Sequence, residues 1–214
     1  MSTYVLTGAG SGIGRLVAER LHARGDTLIL IARDDRRAAD LTAAFPGAVA
    51  VASDLADPTA LADAVAAALP EAIDGIVHAA GIVELGTVAE LPVDAWTSQL
   101  TVNLVAPAEL TRLLLPRVRA ARGQVVFVNS DAGLTAHAGW AAYAASKHGL
   151  KALADALRSE EAEHGVRVTT VYPGRTATPM QETVHAQEGA AYDPDRWIDP
   201  ELSLIHISEP TRPY

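Results

Sequence analysis

Tyr143 and Lys147, four residues apart in Tyr-Ala-Ala-Ser-Lys, with Ser130 thirteen positions upstream, are the residues of this sequence best suited to moving a proton. On a helix, residues four apart share a face about one turn from each other. A lysine ammonium held near a phenol favours the phenolate. A phenol with an unperturbed pKa of ~10 is then expected to exchange protons near neutral pH. Tyr and Lys also meet at this spacing by chance in many helices, so the meaning of the pair rests on the rest of the chain.

Short apolar runs alternate with Ala-rich helical segments along the sequence. Strands are expected at Tyr4–Thr7, Thr27–Ala32, Ala48–Ala52, Gly75–His78, Gln124–Asn129 and Val166–Tyr172. Thr27–Ala32 is apolar throughout, as in a strand buried on both faces. Helices are expected at Ile13–Arg24, Asp35–Phe45, Pro58–Leu69 (Pro at its start), Val93–Arg122 in one or two pieces, and Trp140–His164. Repeated βα alternation predicts an α/β fold, a doubly wound parallel β-sheet with helices on both faces. Ser130 then falls at the carboxyl end of a parallel strand, where such sheets bind ligands.

Thr7-Gly8-Ala9-Gly10-Ser11-Gly12-Ile13-Gly14 follows the first strand and opens the first helix. Glycines let a backbone approach a pyrophosphate, and a helix N-terminus offers free N–H groups and a positive dipole end. The spacing of Gly8, Gly12 and Gly14 is GxxxGxG, not the common GxGxxG. A structural strand–helix turn or a methyltransferase cofactor loop are the other readings of such a stretch.

Taken together, TGxxxGIG near the N-terminus, Ser130, YxxxK and Pro173-Gly174 resemble the short-chain dehydrogenase/reductase family over residues 3 to about 200. The resemblance implies a Rossmann fold with a seven-stranded sheet, a nicotinamide cofactor, and hydride transfer between that cofactor and a small or medium carbonyl or alcohol. It implies a catalytic set of Asn103, Ser130, Tyr143 and Lys147. Asn103 would support a proton-relay water, and Ser130 would donate to the substrate oxygen. Tyr143 would act as general acid or base; Lys147 would hold the ribose hydroxyls and favour the tyrosinate. Gly8, Ser11, Gly12, Ile13 and Gly14 would cradle the pyrophosphate. Asp54 and Leu55 would meet the adenine, and Ala79, Ala80 and Gly81 would pass beside the cofactor. Pro173, Gly174 and Thr176 would contact the nicotinamide, with Thr178 as a helper. His78 stands where the family usually has Asn and reads as a strand-end histidine, neither ligand nor base.

Where NAD-preferring members place an acid at the end of the second strand, this sequence has Ala32 followed by Arg33. A guanidinium suits a 2′-phosphate by charge and fork geometry, which favours NADP(H) over NAD(H). Arg15 reads as a helix-surface residue. The resemblance implies that residues 177–197, polar and turn-rich, with Met180, His185, Tyr192 and Trp197, form a mobile substrate lid; His137, Trp140 and Glu84 read equally as pocket-facing or as surface and packing residues. The rival readings are an NADP-binding regulatory protein without turnover, and a sugar-nucleotide epimerase or dehydratase, which shares YxxxK.

The chain has 214 residues, a net charge of −9 and no cysteine. Its length suits one domain. The acidic balance disfavours nucleic acid and anionic membranes as partners. Disulfides and thiolate metal sites are excluded, and no metal is expected. No run of ~18 apolar residues and no charged segment ahead of the first strand are present, which predicts a cytoplasmic protein without a secretory signal. Residues 1–201 are expected to form the domain. Leu202–Arg212 resembles a translated sequencing adaptor, so 202–214 is expected to be a non-native tail, with the family's last helix and strand missing or replaced. A missing last strand would expose the edge of the sixth strand, where Leu204, Ile205 and Ile207 could pair by accident. A homo-oligomer is implied when the C-terminus is intact.

Overall fold

The computed structural model describes residues 1–66 and 69–204. Among the described residues six strands form one parallel sheet: β1 (Thr3–Thr7), β2 (Thr27–Ala32), β3 (Val49–Ala52), β4 (Gly75–His78), β5 (Gln124–Val128) and β6 (Arg167–Val171), in the order β3-β2-β1-β4-β5-β6. The order reverses between β1 and β4, and a crevice opens there at the carboxyl ends of the strands.

Side chains alternate across the pleat with period two. On one face Val5, Ile29, Ile31, Ile76, Val125, Phe127 and Val168 pack against α3 (Leu61–Ala66), α5 (Ala106–Ala121) and α6 (Ala141–Glu160). On the other face Tyr4, Leu6, Leu28, Leu30, Val77, Val126, Val128 and Val171 pack against α1 (Gly12–Ala23) and α2 (Asp35–Ala44). This two-sided burial is why the strands read as continuous apolar runs. No helix among the described residues is long and apolar enough to cross a membrane.

Three expectations are refined. The segment 93–122 is α4 (Val93–Leu100), a π-helical turn at Thr101–Val105, and α5. Pro107 has no N–H to give the Asn103 carbonyl four residues back, so the regular ladder fails there. The helix expected from Pro58 is a 3-10 turn, Pro58–Ala60, running into α3; residues 67 and 68 lie outside the described part. The stretch 177–197 is not only turns: it contains α7 (Pro179–Gln187), N-capped by Thr178, whose hydroxyl accepts from the Gln181 amide. Pro200–Leu204 forms a 3-10 turn that packs on α1. Leu204 therefore does not extend β6, and Ile205 and Ile207, like the rest of the tail, lie outside the described residues.

Candidate active site

Ser130, just past β5, and Tyr143 and Lys147, on the first two turns of α6, line one cavity of about 530 Å³ at the carboxyl ends of the strands. The same cavity is lined by Gly8, Ser11, Gly12, Ile13 and Gly14, by Arg33, Asp54 and Leu55, by Ala79, Ala80 and Gly81, and by Pro173, Gly174 and Thr176. Asn103 is not brought to its wall. It is fully buried behind Gly81 and Ile82: its amide donates to the Ile82 carbonyl (2.9 Å) and to Ser146 Oγ (3.0 Å), and its Oδ1 accepts from the Ile82 N–H (2.8 Å).

Two residues missed at the sequence level fix this geometry. Asn129 Oδ1 accepts from the Ser130 N–H (2.9 Å) while its amide donates to the Lys147 carbonyl (3.0 Å), tying the end of β5 to α6. Ser146 Oγ donates to the Tyr143 carbonyl (2.7 Å) and accepts from Asn103, tying α6 to the π-turn. Each is a small polar residue next to a singled-out one, which was the only signal available.

The electrostatics run opposite to the expectation from the Tyr–Lys spacing. Burial pushes the Tyr143 phenol up to about 12; its hydrogen bond with Ser130 pulls it down and the nearby Asp131 charge raises it again. Lys147 Nζ lies 5.7 Å from the centre of the Tyr143 ring and donates to the Val128 carbonyl at 3.1 Å. Burial lowers its pKa to about 8, so the cation that was expected to favour the phenolate is itself costly to charge. His78 is buried against Phe127, its Nε2 2.8 Å from Thr111 Oγ1, and burial holds it near 3. It is a neutral packing residue, as its position at the end of β4 suggested.

The glycine loop is shaped for close approach. Gly8 has φ +76°, and a Cβ there would stand 2.6 Å from the Ala80 nitrogen. A Cβ on Gly14 would collide with the Gly8 carbonyl, whereas one on Gly10 would meet nothing within 4 Å, so Gly10 borders open space. The first-turn amides of α1 have no intrahelical acceptors and face this space. Across it, Thr178 Cγ2 would be 3.3 Å from a Cβ on Gly12, so the N-terminus of α7 stands over that of α1.

At the far end of the cavity Arg33 is exposed, 3.5 Å from Asp34. Asp34 also caps α2, accepting from the Arg37 N–H at 2.8 Å. Arg37, unremarked in the sequence, lines the same lobe, as does Asp40, 3.7 Å from it. Arg15 also reaches the wall but pairs with Glu19 (2.8 Å). Asp54 accepts from the Ala56 N–H (2.9 Å), while the helix-start role falls to Asp57.

On the opposite side Trp140 and Met180 line the cavity; Glu84 and His137 do not. The Arg175 guanidinium is sandwiched between the rings of Trp140 (5.6 Å) and Trp197 (5.4 Å) and forms a bidentate pair with Glu188. His185, buried, packs edge-on against Tyr192 and Trp197. A dinucleotide fits these walls: free amides and bare backbone stand midway, two guanidinia at one end, and a serine, a phenol and an ammonium at the other.

Residues 2–189 match the short chain dehydrogenase family. The mouse dehydrogenase/reductase SDR family member 7B is 33% identical over 202 residues, 89% of this chain and 62% of that protein. The chain thus spans about three-fifths of that relative's length. The 1-deoxy-11-beta-hydroxypentalenate dehydrogenase of Streptomyces exfoliatus is 36% identical over 202 residues, 88% of this chain and 72% of that one. A short chain dehydrogenase of Escherichia coli, solved in complex with NADPH, superposes with a TM-score of 0.84 at 28% identity, covering 96% of this chain and 88% of that one. With the sheet order, the glycine loop and the Ser130–Tyr143–Lys147 grouping described above, the chain belongs to the short chain dehydrogenase family.

Proposed function

We propose that this chain is an NADP(H)-preferring oxidoreductase acting on a small or medium carbonyl or alcohol, with Tyr143 as its general acid and base. The observation that carries this reading is the convergence of Ser130, Tyr143 and Lys147 on the same cavity as the glycine loop. Bound nicotinamide supplies or accepts the hydride. Tyr143, protonated over the whole neutral range, gives its proton to the oxygen in reduction. Ser130 orients that oxygen, and Lys147, close to its pKa at neutral pH, carries charge or releases a proton as the phenol requires. Asn103 acts from behind the wall, holding the Ile82 backbone and Ser146 in place. Gly8, Ser11, Gly12, Ile13 and Gly14 seat the pyrophosphate; Asp54, Leu55, Ala79, Ala80, Gly81, Pro173, Gly174 and Thr176 frame the two nucleosides.

The preference for NADP rests on Arg33 and Arg37 at the adenosine end, with Asp34 occupied in capping. The E. coli neighbour bound to NADPH supports it. The same reading puts the cofactor domain at residues 1–201, leaves 202–214 outside it, and implies a homo-oligomer, dimer or tetramer, when the C-terminus is intact, in a cytoplasmic setting.

The test is turnover of a panel of ketones, aldehydes and alcohols with NADPH and NADH in parallel. Tyr143→Phe is expected to lower turnover by about 10²–10⁴-fold, the usual reach of general acid–base catalysis, with NADPH binding nearly intact. Retained turnover removes Tyr143 from the mechanism, and equal use of NADH removes the assigned preference.

A further inference from the structure

Ser130 carries a single hydroxyl proton, and two acceptors stand within its reach, the Tyr143 oxygen and Asp131 Oδ1. Ser130 Oγ donates to Asp131 Oδ1 at 2.9 Å and accepts from the Ala132 N–H at 3.2 Å. Asp131 lines the cavity beside Ser130 and Tyr143. It opens the short turn Asp131–Gly133, whose start is fixed by the Asp131 N–H donating to the Pro173 carbonyl (3.1 Å). A carboxylate is a stronger acceptor than a neutral phenol oxygen, so the hydroxyl points at the acid while Tyr143 is protonated.

We propose that Asp131 is a positioning residue that acts through Ser130, competing with the Tyr143 oxygen for the one serine proton and thereby holding Tyr143 as a phenol, ready to donate. This deepens the acid–base reading of the site and rests on it. When Tyr143 loses its proton, the Ser130 hydroxyl must leave Asp131 to stabilise the phenolate, and Asp131 is left with one acceptor site unfilled. Its negative charge opposes the phenolate in addition. Both effects favour proton donation, the reduction direction, over proton removal from an alcohol. The charged groups around Tyr143 are Asp131 from this turn and Lys147 one turn along α6. Beyond Asp131 stands Arg175, whose guanidinium is held by Glu188.

The experiment is a pH titration of the Tyr143 tyrosinate by near-ultraviolet absorbance on the full chain, with and without NADP⁺, taken as the difference from Tyr143→Phe. It needs no substrate. Asp131→Asn is expected to lower the midpoint by about half a pH unit, the scale of one charge a few ångströms away near solvent. Asp131→Ala is expected to move it the same way, which guards against a contact peculiar to the amide. In a Ser130→Ala background the shift on Asp131→Asn is expected to shrink, because the shared proton is gone. A midpoint unmoved by both Asp131 variants, or moved equally with and without Ser130, overturns the proposal. Loss of turnover in Tyr143→Phe bears on the acid–base reading alone, so the two failures are separable.

Discussion

Lys147 occupies a buried position, with its ammonium donating to the Val128 carbonyl. Its pKa falls to about 8 in the folded chain, against 10.5 for the ordinary side chain. Below about pH 8 the lysine is charged in both states, and the cost of burying that charge is fully present. Between about 8 and 10.5 the folded state has shed the proton that the unfolded chain still binds, so stability rises with pH through that window. Lys147→Met is therefore expected to stabilise the ligand-free protein at neutral pH, by on the order of 2–3 kcal/mol, and to abolish turnover. Denaturant titrations at pH 7 and pH 10 check this: the gain should shrink at the higher pH, and a variant no more stable than the parent at pH 7 refutes the assigned cost. What the sequence showed of this residue was its spacing from Tyr143, a property of the helix. The direction of the electrostatics depends on how deeply both groups are buried, and burial is set by β5, the π-turn and residues 173–180 together. Spacing therefore pointed to two residues that line one cavity, while the shift on the Tyr143 phenol follows its burial.

The elements differ in how openly they declare themselves. Strands buried on both faces, such as Thr27–Ala32, are apolar over a continuous run, here Leu28 to Ala32, and the loop Gly8–Gly14 is fixed by local sterics; both were legible. Helix α7 was not, because its segment is polar and rich in turn formers, and its start depends on the Thr178 cap and on Pro179 at the first helical position. The break at Thr101–Val105 had a local cause in Pro107, yet one missing N–H interrupts a helix only where packing accepts the bulge. The glycines of the loop separate two roles that a motif merges. Gly8→Ala forces a Cβ into the Ala79–Ala80 backbone at positive φ and is expected to lower Tm by several degrees, taking cofactor binding with it. Gly10→Ala adds a methyl group where nothing lies within 4 Å, so Tm should hold while NADPH affinity falls about tenfold or more. Thermal scans with and without NADPH distinguish the two. Equal melting points for both variants in the absence of cofactor contradict this division.

At the scale of the whole molecule, the sheet supplies the floor, and the residues that line the cavity gather at the carboxyl ends of its strands. The likeness to solved relatives covers nearly all of this chain, and the fold was the most legible feature because every strand contributes to it. The substrate side was the least legible. Trp140 and Arg175 line it and Trp197 stacks on Arg175; the three come from separate stretches, and their stacking is a tertiary fact with no periodic signature. The meeting of Thr178 with Gly12 joins these two regions, because the helix that walls the substrate side begins over the loop that borders the cofactor side. A dinucleotide seated at the glycine loop is therefore expected to lie against the start of α7 and to complete the wall of the substrate side before a carbonyl compound can use it. Initial-rate measurements should accordingly show an ordered mechanism, with NADP⁺ competitive against NADPH and the alcohol product noncompetitive against the ketone. Random addition would show that the two helix N-termini open and close independently.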